Sequence, residues 1–511
     1  MRAICMAFLN VWMLWCCAAA FGAGETAAKG VVFDDANGNG VRDEGEVGIA
    51  GVRVSNGREV VVTNEAGRYE VPVGDDTIVF VIKPRGWMTP VDALNLPRFY
   101  YIHKPNGSPK LRYPGVAPTG PLPKSIDFPL TKHDEPERFS VVVLADTQTR
   151  TLTDVDYLEH DVIEEIVGAG TNAAFGIALG DIVYDFLEVF DPVNEAVAHI
   201  GVPFYNVHGN HDTNQDTAED RTSDETFERV YGPTHYSFDY GPVHFVVLDD
   251  VHWYWHEEKN EGRYHDRLTD VQLEFVRNDL ALVPKGQLVV VCMHIPIHKV
   301  AGRGPLFAML AERPHTVSFS GHSHIQRHMF LDEEDGWPGD EPHHHVNFGT
   351  ACGCWWHGDK DEVGIPHATM SDGTPNGWWT VTFDGTDYSV VFKAARRPAD
   401  YQMNVFAPEE VAAGDAARTE ILANVFAGSA RSIVEMRVGD GKWVKMKRAY
   451  RDDPSIAALG YAGKSTHIWQ ATLPSGLPPG THLIEVRTTD MFGHTYTGRR
   501  LIRVTKNAPD S

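Results

Sequence analysis

Five apolar runs, each ending in polar residues of the kind that ligate metals, limit the folds open to this chain. "FSVVVLAD" ends in Asp146, with Gln148 two residues on, and "AAFGIALGD" ends in Gly180 and Asp181. "PFYNVHGNHD" delivers Asn210, His211 and Asp212, "QLVVVCMHIP" carries His294, and "VSFSGHSH" closes on His322 and His324. Between them lie stretches of helical period such as "VDYLEHDVIEEIVG" and "DPVNEAVAHI". Buried strands alternating with amphipathic helices predict a layered α/β core. Ligand groups in such cores collect beyond the carboxyl ends of the strands, so the five clusters are expected at one edge.

At 511 residues the chain exceeds what one core serves. Its patterning divides it into a segment over 29–83, a Pro/Gly-rich connector packed on its neighbours over 84–137, the α/β region over 138–395, and a β domain over 400–506. The net charge of −25 excludes nucleic acid as the main partner, because phosphate backbones select basic faces. A small phosphorylated substrate stays open, since bound cations invert the local field. Residues 1–23 have an early Arg2, an apolar centre and a small-residue exit, the pattern of a secretory signal cut after Gly22 or Ala23. An exported bacterial protein, periplasmic or secreted, is expected, with no spanning segment once the signal is removed. Cys5, Cys16 and Cys17 leave with the signal, and Cys292, Cys352 and Cys354 are too few for a disulfide framework.

"GVVFDDANGNGVRDEGEVGIAGVRV" places valine-rich strands on either side of an Asp/Asn/Gly loop. Over residues 35–46 the spacing is that of a twelve-residue calcium loop. Asp35, Asn37, Asn39 and Asp43 fall at positions 1, 3, 5 and 9, the Val41 carbonyl at 7 and a bidentate Glu46 at 12, with Gly40 at the turn. The competing reading is a plain polar turn. The stretch resembles the B-type repeat domains of bacterial surface proteins, and "TNEAGRYEVPV" extends it as a small β-sandwich. Beyond residue 400, short alternating runs such as "EILANVF", "HIWQATL" and "HLIEVRTTD" predict an immunoglobulin-like sandwich.

Mixed carboxylate, amide and imidazole donors suit Mn, Fe or Zn better than Mg. Two such cations roughly 3.5–4 Å apart need a shared carboxylate between them, and Asp181 is the natural bridge. Gln148 is an unusual donor, neutral and weaker than histidine or carboxylate. The order of the clusters resembles the calcineurin-like metallophosphoesterase family, whose series is Asp-x-His, Gly-Asp, Gly-Asn-His-Asp or -Glu, His, and Gly-His-x-His. Only the first motif departs, at Gln148. The resemblance implies a four-layer domain of two β-sheets flanked by helices, between an N-terminal and a C-terminal β-sandwich as in the exported bacterial subgroup. It implies that Asp146, Gln148, Asp181 and His324 hold one metal, and that Asp181, Asn210, His294 and His322 hold the other. The implied reaction is hydrolysis of a phosphate mono- or diester by a metal-bridging hydroxide. His211 is then expected to steer the phosphoryl group and protonate the leaving oxygen. Asp212 either orients the His211 ring or caps the next helix, and Asp185 is read as structural.

"HWYWH" at 252–256, "CWWHG" at 354–358 and "GWW" at 377–379 are read as core or interface packing in preference to a stacking platform. "HHH" at 343–345 is read as a strand. The rival from another class is a binding or adhesion protein with an inactive phosphoesterase core.

Overall fold

Val141 and Val143 point into one core while Val142 and Leu144 point into another. The strand Arg138–Leu144 is therefore apolar on both faces and shows no alternation. In the computed structural model, which describes residues 26–458 and 463–506, this strand is central to a five-stranded sheet. Phe175–Ala178 and Phe204–Asn206 run parallel to it on one side, and Gly377–Asp384 and Asp387–Ala394 complete the antiparallel other side. A six-stranded sheet faces it. There Val243–Val247, Leu288–Cys292, Thr316–Ser320 and His343–Asn347 are parallel, with antiparallel edges Tyr236–Tyr240 and Arg327–Leu331. Phe175 of the first sheet meets Phe245 of the second edge-on at 5.3 Å. Helices cover the outer faces. One runs over 152–168 with a π turn in its middle, its start capped by the Thr151 side chain, and another is Phe190–Ala198.

The N-terminal part is a sandwich of two four-stranded sheets. Residues 84–137, expected as a connector, instead contribute strands to both. Phe128–Lys132 pairs in parallel with Thr26–Asp34, and Tyr100–His103 pairs with Thr77–Ile82. These strands are short and their partners distant in sequence, so no local period announces them. The core of this sandwich continues into the central domain, where Phe80 packs edge-on against Phe275 at 5.8 Å. The C-terminal part is a sandwich of a four- and a five-stranded sheet with a core largely its own. The layout is thus a central α/β sandwich between two β-sandwiches. No helix among the described residues is long and apolar enough to cross a membrane. The expected secretory signal lies outside the described residues.

The aromatic clusters divide. Trp379 of "GWW" is fully buried in its strand, and Trp356 of "CWWHG" is buried with its indole donating to Asp161 at 2.9 Å. His343, His344 and His345 lie buried on a strand. "HWYWH" instead belongs to a hairpin, Val251–His256 with Glu261–Asp266, that stands beside the clustered polar residues.

Candidate metal centre

The five clusters meet at one edge of the facing sheets. Asp146, Gln148, Asp181, His322 and His324 all have left-handed backbone, φ between 40° and 70°. Non-glycine residues held there cost of order 1–3 kcal/mol each, a strain that collects at functional sites. Two glycines permit the approach. A Cβ at Gly209 would lie 2.0 Å from the Asp181 nitrogen, and one at Gly321 would lie 2.2 Å from the Asp146 carboxylate.

Asp181 is the hub. Its Oδ1 accepts from the His211 backbone N–H at 2.8 Å, and its Oδ2 lies 3.2 Å from His294 Nε2. His294 donates its Nδ1–H to the Leu179 carbonyl at 2.8 Å, which turns Nε2 inward. Around that nitrogen stand Asn210 Oδ1 and His322 Nδ1, each at 3.2 Å. Asp181, His294 and His322 thus bring three donor atoms within 4.8 Å of one another. Asp146 and His324 form the other half. His324 donates Nδ1–H to the Gly353 carbonyl at 2.6 Å, leaving Nε2 3.6 Å from Asp146 Oδ1. Both Asp146 oxygens accept from the His322 N–H, at 3.0 and 2.9 Å.

Gln148 sits between the halves, fully buried. Its Oε1 accepts from the Trp355 indole at 2.8 Å, and its Nε2 donates to Asp181 Oδ2 at 2.8 Å. An indole N–H only donates, so the amide oxygen belongs on the Trp355 side and the NH₂ faces the carboxylate.

The donor set calls for positive charge. Burial pushes the Asp146 carboxyl up to about 6, against the pull of His324 and His294. Burial works the same way on Asp181, but His294, His211 and His322 more than offset it and hold that carboxyl below its ordinary value. Burial disfavours the His294 cation, yet the adjoining Asp181 overrides this and raises its pKa to about 10. Burial and the His294 charge drive His322 down to about 3. A proton on His294 supplies the positive charge, and so would a divalent cation, whose binding requires these imidazoles neutral. The residues present fit such an ion.

The carboxylate on the His211 ring is Asp185, at 2.7 Å from Nδ1. Asp212, expected to orient that ring or cap a helix, does neither. Its side chain turns back under the Gly180–Asp181 turn and accepts from the N–H groups of Gly209 at 3.0 Å, Ile182 at 3.2 Å and Val183 at 3.1 Å. Tyr184 stacks on the other side of His211, ring centroids 4.1 Å apart. Sequence reasoning missed Asp185 and Trp355 as partners of site residues. "GDIVYD" contains the first, four residues after Asp181, but nothing in that spacing distinguishes a ring partner from a turn residue.

In class, this is a layered α/β sandwich with a buried Asp/His/Asn metal-type cluster at the strand ends. Residues 139–326 match the calcineurin-like phosphoesterase family, residues 36–113 its N-terminal extension and residues 345–496 its C-terminal extension. The chain belongs to the calcineurin-like phosphoesterases and carries both extensions. Among solved structures, a purple acid phosphatase from yellow lupin (Lupinus luteus) seeds is similar at 14% identity and a TM-score of 0.37, covering 68% of this chain and 69% of that one. CopC from Methylosinus trichosporium OB3b is similar over 20% of this chain and 88% of its own, at 18% identity and a TM-score of 0.13. No curated protein matches the chain.

Proposed function

We propose that this chain is an exported, dinuclear metal-dependent phosphoesterase that hydrolyses phosphate mono- or diesters. The observation that carries the reading is the Asp181 carboxylate, buried between two sets of donors with the imidazoles of His294 and His322 beside it. Asp146 and His324 would hold one cation, Asn210, His294 and His322 the other, with Asp181 between them. Mn, Fe or Zn suits the donors. When bound, the pair supplies Lewis-acid activation of water and neutralises charge at phosphorus. Asn210 then presents a neutral oxygen, and the Gly353 and Leu179 carbonyls fix the imidazole tautomers. His211, held through Nδ1 by Asp185 and from the side by Tyr184, keeps Nε2 for the ester oxygen and protonates the departing alcohol there. Gln148 acts as a donor to Asp181 rather than as a ligand, because its oxygen is turned to the Trp355 indole and its NH₂ faces the Asp181 carboxylate.

The test is metal analysis of purified protein with turnover of p-nitrophenyl phosphate and its bis-ester in added Mn²⁺, for wild type and His211→Ala. The variant is expected to keep its ions and lose roughly 10²–10⁴ in kcat. Wild type that neither binds ions nor turns over either ester sinks the proposal and favours the adhesion alternative. Export is tested by N-terminal sequencing of the mature chain, which is expected to start at Ala23 or Gly24. The 35–46 loop is proposed as a calcium clip. Asp35 is buried there, and Glu46 accepts from the N–H groups of Ala36 and Asp43, both at 3.0 Å. Calcium is expected to raise the thermal midpoint of wild type and leave Glu46→Gln unmoved; an equal response of both sinks it.

A further inference from the structure

A cavity of about 340 Å³ opens beside the metal centre, and its two ends differ in chemistry. Asn210 and His211 line the inner end, and the hairpin Val251–His256 with Glu261–Asp266 walls the outer one. Trp253 and Tyr264 are directly opposed in that hairpin, so their side chains share a face, and Gly262 lies on the same face. A Cβ at Gly262 would come within 1.8 Å of the Trp253 indole, so glycine is required for the ring to lie flat there. Trp253 is locked in place, its indole N–H donating to the Thr217 carbonyl at 3.0 Å.

Tyr264 is placed differently. Its ring is half-buried and stands edge-on to His322, centroids 6.4 Å apart and planes at 85°. It thus borders both the metal centre and the cavity. Polar groups sit at the rim, where Gln215 and Arg263 line the same space.

We propose that this cavity is the leaving-group subsite, that it takes phosphate esters whose alcohol carries a planar ring, and that Tyr264 selects them. The inference rests on the phosphoesterase reading of the centre. With phosphorus at the Asp181 cluster and the ester oxygen at His211, the alcohol points into the space between His211 and the hairpin. A flat ring there covers the Tyr264 face and meets the immobile Trp253, so little side-chain freedom is lost on binding. An acyclic polyol covers neither ring. Gln215 and Arg263 line the same space with their polar ends engaged, the Gln215 amide donating to Asp185 and the Arg263 guanidinium to Glu261.

The probes are adenosine 5′-monophosphate and ribose 5-phosphate, which are esters of the same primary ribose hydroxyl and differ in the planar adenine that replaces the anomeric hydroxyl. Wild type with Mn²⁺ is expected to favour the nucleotide by about tenfold to a hundredfold in kcat/KM, the range stacking supplies, with the difference in KM. Tyr264→Phe is expected to keep that ratio and Tyr264→Leu to bring it near one. A ratio near one in wild type, or one unchanged in Tyr264→Leu, overturns the subsite. Benzyl phosphate against cyclohexylmethyl phosphate separates the sources: a preference there assigns a bare aryl ring, and a preference confined to the nucleotide assigns a nucleobase. Equilibrium dialysis with the first pair reads the subsite without turnover. Ring-dependent binding lost in Tyr264→Leu, with no hydrolysis, upholds the subsite and defeats the phosphoesterase reading; ring-independent binding defeats the subsite.

Discussion

Gln148 is held from both sides, by the Trp355 indole at its oxygen and the Asp181 carboxylate at its nitrogen. Its position two residues after Asp146 made it legible as a site residue, but not as a donor, because Trp355 lies 207 residues away. Replacement by histidine puts a nitrogen ligand where the amide NH₂ now faces Asp181. Gln148→His is therefore expected to raise Zn²⁺ affinity by about tenfold or more, read by competitive chelator titration. An unchanged affinity and metal preference shows that this position does not reach the ion. Asp185 and Asp212 make a second contrast at this scale. Asp185→Asn is expected to lower kcat by roughly 10–100-fold at nearly unchanged ion content and thermal midpoint, since this partly exposed carboxylate orients the His211 ring and otherwise accepts from the Gln215 amide. Asp212→Asn leaves a fully buried site where three backbone N–H groups converge, and one of them loses its acceptor. It is expected to cost about 1–3 kcal/mol of stability by denaturant unfolding. Equal midpoints for the two variants contradict this division.

Among the elements, strands buried on both faces were the easiest to read, as "FSVVVLAD" shows. The proline-rich 84–137 stretch was not, because its strands are only two to five residues long and Val32 finds its partner at Phe128. The strand His343–Asn347 was legible as a strand, and its pairing gives it a further property. His343 and His345 bond Ser318 on the neighbouring strand at 2.8 and 2.7 Å, and His344 bonds His328 at 3.0 Å and the Tyr388 hydroxyl at 2.6 Å. Burial pushes His343 down to about 3 and His328 to about 4, and it lowers His344 and His345 well below their ordinary 6.5. These rings are neutral when folded and take up protons near pH 6.5 when unfolded. The unfolded state therefore binds more protons between about pH 6.5 and 3, and stability falls as pH drops through that window. Each ring contributes up to about 1.4 kcal/mol per pH unit. Denaturant midpoints are expected to fall from pH 7 to pH 5, less steeply in His345→Gln. Parallel slopes for variant and wild type would remove this strand as the cause.

At the scale of the whole molecule, the two outer sandwiches are attached differently. The C-terminal one has a core largely its own and meets the central domain through several contacts, among them His467, which bonds Asp372 at 3.0 Å, and Phe426, which packs edge-on against Phe392 at 6.2 Å. The N-terminal one shares its core with the central domain and sends Arg53 into it. Arg53 bonds Asp239 and Asp279, each at 2.6 Å, and His244 bonds the same two carboxylates at 2.7 and 2.9 Å. Asp279 has no exposed side-chain surface, and burial would raise its pKa. His244 and Arg53 outweigh that and hold it at about 2, so it stays charged at neutral pH. Removing Arg53 leaves the buried Asp239 and Asp279 carboxylates to share His244, so the loss approaches the roughly 3–5 kcal/mol of deleting one partner of a buried pair. Arg53→Met is expected to lower the unfolding midpoint of the central domain and the N-terminal sandwich together, as one transition. Arg53→Met with Asp279→Leu is expected to recover part of the loss, because apolar groups of similar volume replace a buried pair at little cost. Two separated transitions in the wild type, with only the first moved by Arg53→Met, would mean that the sandwich folds independently of the domain carrying the metal centre.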